Sequence, residues 1–265
     1  MLYLSKKHLT MLLLVFVICS AIGGIFKTSI SNATGELLSV LAVGEKIHPI
    51  YAVDLSEKKL AISFDATWGS SRTQELLNIL AKYNIKTTFF LTNIWLKDYP
   101  DLAKEIVAQG HEVAMHSANH PKMTDLPDDK ALQELRENET LITEITGVKP
   151  YLFRPPFGAY NNRIVKLVQD AGYIPIQWSI DSLDWKNLSA EEIYQRVTKR
   201  TAPGAIVLFH NDGTNTPAAL EMILEFYKQE GYTVVPVSQL IYKDNYYVDH
   251  NGIQKQQIKS PSDEA

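Results

Sequence analysis

The chain alternates between short apolar runs, rich in β-branched and aromatic residues, and longer amphipathic stretches of helical length. Leu76, Leu77 and Leu80, for example, form one apolar face of a helix. Strands that alternate with helices predict βαβ units and a parallel sheet, either open and doubly wound or closed into a barrel. The predicted strands are Leu60–Phe64, Thr87–Thr92, Glu112–His116, Tyr151–Arg154, Ile174–Ile180, Ala205–His210 and Thr233–Val237.

Two kinds of signal mark the helix ends. Ser71 with Gln74, and Ser189 with Glu192, have the spacing of a capping box at a helix start. Glycines follow several of the amphipathic stretches, where a left-handed backbone commonly ends a helix. These glycines are Gly110, Gly147, Gly172 and Gly231.

The N-terminal segment has the composition of a membrane-targeting sequence. No charged residue occurs from Leu9 to Phe26. Lys6 and Lys7 precede this run, and Lys27 follows it. At about 1.5 Å per residue, a helix of this length just crosses a hydrocarbon core of roughly 30 Å. The run is therefore either a signal peptide or a short membrane anchor, and the preceding lysines predict that the rest of the chain lies outside the cytoplasm.

The strand–helix pattern continues without a break in composition, which indicates one domain. We divide the chain into a signal or anchor segment at 1–27, a connector at 28–57, a domain at 58–242 and a polar tail at 243–265. The tail is expected to be loosely ordered because it is rich in polar residues.

Composition and charge exclude several classes of function. The chain has 265 residues, 45% of them hydrophobic, which is ample for a packed core. Its net charge of −4 argues against a nucleic-acid binder, and no glycine-rich loop supports nucleotide binding. The single cysteine excludes an intramolecular disulfide, a cysteine-based zinc site and an iron–sulfur centre.

Polar residues of catalytic type lie at or just beyond the ends of the apolar runs. The carboxyl ends of strands in a parallel βα fold gather on one face, where barrel enzymes place their active sites. The sequence therefore predicts one site at this face. Its candidate residues are Asp65, His116, His120, Arg154, Asp181, Asp184 and His210.

Each of these residues has both a structural and a functional interpretation. Asp65 either caps a turn or acts as a general base on water. His116 and His120 are either surface histidines or two metal ligands on one side of a helical turn. Arg154 either forms an ordinary ion pair or orients an ionised carboxylate.

The last two polar residues form a possible pair. Asp184 is either a turn residue or the partner that raises the pKa of His210, which would otherwise be a core histidine. With that partner, His210 becomes a candidate general acid. Trp185 and Leu208 belong either to the core or to a small apolar pocket of the site.

Five ordered motifs resemble the polysaccharide deacetylases with a NodB homology domain, carbohydrate esterase family four. The resemblance covers about residues 58–240, and the anchor and overall size look most like the PdaB-type sporulation deacetylases. The motifs are Ser-Phe-Asp (63–65), His-Ser-Ala-Asn-His (116–120), Arg-Pro-Pro-Phe-Gly (154–158), Asp-Ser-Leu-Asp-Trp (181–185) and Leu-Phe-His (208–210).

The resemblance implies a fold, a reaction and a role for each matching residue. The fold is a distorted, incomplete (β/α) barrel of about seven parallel strands, and the reaction is removal of N-acetyl groups from cell-wall polysaccharide such as peptidoglycan. Asp65 matches the catalytic base, His210 the acid, Arg154 the partner of the base and Asp184 the residue that tunes the acid. The remaining matches are two ligands of zinc or another divalent metal, His116 and His120, and the acetate-methyl pocket, Trp185 and Leu208. A backbone N–H near Phe157 would help to hold the oxyanion.

The sequence departs from the family at one position. The third metal ligand is normally an aspartate directly after the base, and here that residue is Ala66. Alanine has no donor atom, so the usual ligand set is incomplete. Either Asp65 ligates the metal itself, or water fills the gap, or the site is free of metal and impaired.

Three functions follow as alternatives. The first is a deacetylase active on N-acetylated glycan, monomeric and located at the cell membrane, cell wall or spore. The second is a degenerate homologue that binds glycan or serves morphogenesis without turnover. The third is a glycosidase using Asp65 and Asp184, which leaves the histidines without a role.

Overall fold

The computed structural model describes residues 46–257, which contain eleven strands and eight α-helices. The strands are β1 (Ala52–Val53), β2 (Lys59–Ala66), β3 (Thr88–Leu91), β4 (Glu112–Met115), β5 (Leu152–Phe153), β6 (Ile174–Pro175), β7 (Ile180–Asp181), β8 (Ile206–His210), β9 (Thr233–Val235), β10 (Tyr246–Val248) and β11 (Ile253–Gln256). The helices are α1 (Thr73–Lys82), α2 (Asn93–Asp98), α3 (Pro100–Ala108), α4 (Asp128–Thr146), α5 (Asn162–Asp170), α6 (Ala190–Thr198), α7 (Thr216–Glu230) and α8 (Val237–Leu240).

The main sheet is a curled half-barrel of parallel strands. Seven strands follow the order β6-β5-β4-β3-β2-β8-β7, and β9 pairs with the beginning of β2 off this path. Every pairing in this sheet is parallel. The predicted incomplete (β/α) barrel of about seven parallel strands is therefore confirmed, whereas the flat alternative, an open doubly wound sheet, is not what forms.

The curl of the sheet explains why one predicted strand is divided. The apolar run Ile174–Ile180 was expected to form a single strand, but it contributes β6 and β7, which lie at opposite edges of the sheet. Only residues 176–179 join them. Because an extended chain advances no more than about 3.6 Å per residue, the two edges must approach within roughly 18 Å. The run thus bridges the gap in the barrel.

The predicted helix ends are confirmed in part. Ser189 and Glu192 form a capping box at the start of α6. The box predicted at Ser71 is wrong, because α1 begins at Thr73 and Arg72 precedes it without a side-chain cap. The glycines at the predicted helix ends all have a positive φ, and two of them are the capping residues of α4 and α7. These four are Gly110, Gly147, Gly172 and Gly231.

Alternating residues of β2 pack on opposite faces of the sheet. Ile62, Phe64 and Ala66 are fully buried in the large apolar cluster that the sheet forms with the helices. Ala61 belongs instead to the cluster inside the half-barrel. Since side chains alternate along a strand, Asp65 faces the interior with Ala61. The central strand thereby directs a carboxylate into the barrel and an alanine into the hydrophobic core.

Parts of the connector at 28–57 and of the tail at 243–265 form a second, smaller sheet, which neither prediction included. β1 pairs in parallel with β11, and β11 pairs antiparallel with β10. The expectation of a loosely ordered tail is therefore wrong for residues 246–256, and Ala52–Val53, assigned to the connector, is part of the folded unit. The prediction was wrong because a polar residue can be buried when its polar atoms are satisfied. Gln254 is fully buried, and its side chain accepts a hydrogen bond from the Tyr242 N–H and donates one to the Tyr242 carbonyl.

Among residues 46–257, every helix is too short or too polar to cross a membrane. The predicted signal or anchor segment at 1–27 lies outside the described residues and stays a prediction.

Candidate active site

A cavity of about 560 Å³ opens where the strands of the main sheet end. Asp65 and His210 come from the ends of the neighbouring strands β2 and β8, and His116 directly follows β4. The structure thus brings most of the predicted site residues to one cavity, as the parallel arrangement requires. The predicted residues that line it are Asp65, His116, His120, Phe157, Asp181, Trp185, Leu208 and His210.

Arg154 lies behind the cavity wall and holds Asp65 in place. Its guanidinium is completely buried and donates from Nη1 to Asp65 Oδ1 at 2.6 Å. Nη2 donates to Ser63 Oγ at 2.9 Å, and the guanidinium carbon lies 4.0 Å from the ring centre of Phe90. Burial alone would raise the pKa of Asp65, but the positive charge and hydrogen bond of Arg154 lower it below its usual value. Asp65 is therefore an ionised, oriented carboxylate.

His116, the first of the two predicted metal ligands, contacts both Asp65 and Arg154. Its Nδ1 lies 2.8 Å from the Arg154 carbonyl oxygen, which can only accept, so Nδ1 carries the proton. Burial lowers the pKa of His116, so the imidazole is neutral and Nε2 has a free lone pair. This Nε2 faces Asp65 Oδ2 at 3.5 Å. Two acceptors facing each other are stabilised by a proton or a cation between them.

His120 is enclosed by other rings. Its ring centre lies 4.9 Å from that of His116, 5.1 Å from that of Trp68 and 4.5 Å from that of Phe157. Burial lowers the pKa of His120 to about 4, so it is neutral at physiological pH. Its Nδ1 is buried without a hydrogen-bond partner in the described part of the chain.

The residues present do not complete a metal site. His116 Nε2 and His120 offer neutral nitrogen donors of the kind that zinc prefers. Ala66, which replaces the third ligand, is buried and supplies no donor atom. Within residues 46–257 no three His, Cys, Asp or Glu side chains are grouped closely enough to hold a metal ion. The histidine pair is therefore at most half of a conventional site.

His210 and Asp184 form the predicted pair on the other side of the cavity. Asp184 is fully buried, and its Oδ1 lies 2.8 Å from His210 Nδ1. Its Oδ2 accepts from the His210 backbone N–H and from Thr216 Oγ1, each at 2.8 Å. Burial alone would lower the pKa of His210, but the hydrogen bond and charge of Asp184 raise it above its usual value. The arrangement favours a protonated imidazolium with Nε2 free to act.

The remaining predicted residues form the walls. Leu208 is buried beside His210, whereas Trp185 and Phe157 are exposed at the mouth of the cavity. Phe157 has a left-handed backbone with φ +60°, which is uncommon for a bulky residue and brings its ring against His120. The catalytic and binding roles assigned to all these residues remain predictions.

Several residues at the site were not singled out from the sequence. Gln177 binds Arg154 and Thr216 binds Asp184, and both are common residues outside the motifs. Ser63, which also binds Arg154, lies in the motif Ser-Phe-Asp (63–65) but had no assigned role. Trp68 stands three positions after Asp65, and Asp212 two after His210, so closeness to a predicted residue was the only available signal. The further lining residues are Thr67, Trp68, Gly158, Trp178, Asn187, Asn211, Asp212, Gly213 and Thr214.

Comparison with known proteins agrees with the ordered motifs. The family described as polysaccharide deacetylase matches residues 52–176. The peptidoglycan-N-acetylglucosamine deacetylase of Bacillus cereus is 34% identical over 196 residues, which cover 72% of this chain and 92% of that protein. The chain belongs to the polysaccharide deacetylase family. The predicted family is thus confirmed.

Other members of the polysaccharide deacetylase family differ in what they are said to do. The peptidoglycan-N-acetylmuramic acid deacetylase PdaA of Bacillus subtilis is 30% identical over 82% of this chain and 85% of its own length. A CE4 family pseudoenzyme from Bacillus anthracis is 34% identical in its solved structure, with a TM-score of 0.70 over 72% of this chain and 68% of that one. A mutant of that pseudoenzyme is described as having restored enzymatic activity. Family membership therefore leaves open whether a given member turns over substrate.

Proposed function

We propose that this protein removes acetyl groups from the N-acetylated amino sugars of a cell-wall polysaccharide such as peptidoglycan. The observation that carries the proposal is a pair of buried contacts at one cavity: Arg154 stabilises the ionised form of Asp65, and Asp184 stabilises the protonated form of His210. Two titratable groups with pKa values displaced in opposite directions are what acid–base catalysis on one substrate requires.

The reaction proceeds by hydrolysis of the acetamide. Asp65 takes a proton from a water molecule while the oxygen of that water attacks the acetyl carbon. The Phe157 N–H stabilises the negative charge that develops on the acetyl oxygen. His210 then donates its proton to the sugar nitrogen while the carbon–nitrogen bond breaks. Acetate and a free amino sugar leave. Binding of zinc by His116 and His120 remains a prediction, and none of these steps uses a metal.

A degenerate homologue that binds glycan without turnover is the second candidate. Ala66 supports it, because the missing carboxylate leaves the histidine pair without a third ligand. The pseudoenzyme among the solved relatives supports it as well. By contrast, the glycosidase hypothesis loses its second carboxylate, because Asp184 is fully buried and hydrogen-bonded to His210 and Thr216.

Acetate release from N-acetylated muropeptides or chitooligosaccharides distinguishes these candidates. The protein is expected to release acetate, and Asp65→Asn is expected to lower the rate by about 10²- to 10⁴-fold because the base is lost. Asp170→Asn, at an exposed carboxylate paired with Lys166, is the matched control and should retain the rate. Glycan binding without acetate, with or without zinc, would establish the second candidate instead, and shortened oligosaccharides would indicate a glycosidase.

The dependence of acetate release on pH tests the role of Asp184. Asp184 raises the pKa of His210, so the imidazolium persists to higher pH and the alkaline limb of the rate profile should lie above the ordinary histidine range. Asp184→Asn removes the negative charge, lowers that pKa and should move the alkaline limb to lower pH. The limb is measured from initial rates between about pH 5 and 10. An unmoved limb in the variant would mean that another group is the acid.

The location and biological role are further proposals. We propose that the domain acts outside the cytoplasm, either anchored by the segment at 1–27 or secreted to the cell wall or spore. The uncharged run from Leu9 to Phe26 with its flanking lysines supports export. A role in sporulation, as in the PdaB-type deacetylases, rests on the resemblance of the motifs and the N-terminal segment.

A further inference from the structure

The turn formed by residues 155–158 carries the proposed oxyanion donor on an uncommon backbone. The Gly158 N–H donates to the Pro155 carbonyl at 3.0 Å and closes the turn. Phe157, the third residue of the turn, has φ +60°, and Gly158 has φ +64°. A positive φ at the third position favours glycine or asparagine, so a bulky phenylalanine there is strained. Such a turn keeps its shape only where its surroundings fix it, and those surroundings decide where the Phe157 N–H points.

The side chain of Gln177 holds this turn. Its Nε2 donates to the Gly158 carbonyl at 2.9 Å. The turn also packs directly on this part of the chain, because a Cβ on Gly158 would lie 3.3 Å from Gln177 Oε1 and 2.7 Å from the ring of Trp178. A carbonyl oxygen can only accept, so the contact requires a hydrogen-bond donor at position 177.

The backbone of Gln177 is fixed on both sides. Its N–H donates to the Ile50 carbonyl at 2.7 Å, and its carbonyl accepts from Arg154 Nη2 at 3.2 Å. Arg154 also holds Asp65, the proposed base. Gln177 therefore contacts both the arginine that orients the base and the turn that carries the oxyanion donor. Since the attacking water and the acetyl oxygen must be held in one geometry, a residue bound to both supports can set their relative placement.

We propose that Gln177 is a positioning residue for the oxyanion donor: its side-chain amide fixes the turn so that the Phe157 N–H points at the acetyl oxygen. The inference rests on the proposed function and adds a residue that lies outside the five motifs. Gln177 is buried and does not line the cavity, so it acts through the turn and does not touch the substrate. Its effect belongs to the transition state, in which the acetyl oxygen carries negative charge, and not to binding of the uncharged acetamide.

Gln177→Met tests the inference, because methionine has a similar size but no hydrogen-bond donor. For acetate release from the tetramer of N-acetylglucosamine by the full chain, kcat is expected to fall by about 10- to 100-fold while KM stays unchanged. The same variant should bind a transition-state analogue more weakly by a similar factor. The analogue is the tetramer in which a tetrahedral methylphosphonyl group replaces one acetyl group, and isothermal titration measures its binding.

A second buried glutamine provides the matched control. Gln254 is fully buried, and its amide donates to the Tyr242 carbonyl at 2.8 Å, but it does not line the cavity. Gln254→Met should lower the temperature of thermal unfolding and keep the parent values of kcat, KM and analogue affinity. Gln177→Glu keeps the shape of glutamine and cannot donate while it is ionised, which the charge of Arg154 favours. This variant should show the same losses as Gln177→Met, and it replaces that variant if thermal unfolding shows that the methionine variant does not fold.

The outcomes separate this inference from the proposed function. Weaker analogue binding in Gln177→Met, without acetate release from the parent or any variant, supports the positioning role and contradicts the proposed deacetylation. Acetate release with the same kcat in Gln177→Met as in the parent overturns the positioning role and leaves the deacetylation standing. Equal losses of kcat in Gln177→Met and Gln254→Met, a rise in KM as large as the fall in kcat, or no binding of the analogue by the parent also overturns it.

Discussion

Replacing Arg154 with methionine is expected to lower the free energy of unfolding by about 3–5 kcal/mol, because the substitution leaves the Asp65 carboxylate buried without its partner. Arg154 is completely buried, and its guanidinium binds Asp65, Ser63 and the Gln177 carbonyl. Methionine retains the apolar stem of the arginine side chain but not the guanidinium, so the lost charge and its hydrogen bonds dominate the result. Urea denaturation followed by circular dichroism measures the change.

Two further variants show whether the effect comes from the buried pair. Arg154→Met combined with Asp65→Asn is expected to recover part of the loss, since no uncompensated charge then remains. Arg72→Met removes an arginine from an exposed ion pair with Glu75 at 3.7 Å and should change stability by less than about 1 kcal/mol. If Arg154→Met were no more destabilising than Arg72→Met, the carboxylate of Asp65 would not depend on the arginine for its ionised state.

Ala66→Asp is expected to destabilise the protein strongly in the absence of metal and to make its stability depend on zinc. Ala66 has no exposed surface and lies in the apolar cluster that β2 forms with the helices. An ionised carboxylate there costs several kcal/mol unless it is paired, because it leaves water for an apolar environment. The resemblance assigns the third metal ligand to this position, one residue after Asp65, whose Oδ2 lies 3.5 Å from His116 Nε2. Zinc should therefore stabilise the variant, by about 2.7 kcal/mol at a concentration one hundred times the dissociation constant.

Thermal unfolding with zinc and with a chelator measures this effect. Ala66→Asn has the same size without the negative charge and is the matched control, so it should respond to zinc much less than Ala66→Asp. The parent protein should respond weakly, because only the two histidines are available. A zinc response in Ala66→Asp no larger than in Ala66→Asn would show that position 66 does not face the histidine pair, and the inferred half-site would then be wrong.

The site was predictable because each functional group follows its own strand. Asp65, His116 and His210 stand at the ends of apolar runs that are plain in the sequence, and a parallel sheet brings such ends to one edge. Their partners Arg154 and Asp184 also follow apolar runs, so the same pattern predicts them. Neither the closeness of Arg154 to Asp65 nor that of Asp184 to His210 follows from sequence distance, since the residues are 89 and 26 positions apart.

The tail shows where composition fails as a guide. Residues 246–256 are largely polar, yet they form two strands: β11 pairs with Ala52–Val53, and β10 pairs with β11. The pairing depends on residues about 200 positions away, so no local signal reveals it. From the sequence alone, Gln254 would be expected at the surface. In the structure its buried amide forms two hydrogen bonds with the Tyr242 backbone.

Local patterns were sufficient to specify the parallel sheet, most of its strands and the polar residues that gather at the cavity, because hydrophobic periodicity and strand ends are properties of short segments. Only the tertiary structure decided that Ile174–Ile180 divides to bring the sheet edges together, that Asp65 and His210 acquire opposite pKa displacements, and that Trp68 stands exposed beside the histidine pair. These properties arise from burial and from contacts between distant segments. A pKa or an exposed ring depends on everything packed around it, and that environment exists only once the chain has folded.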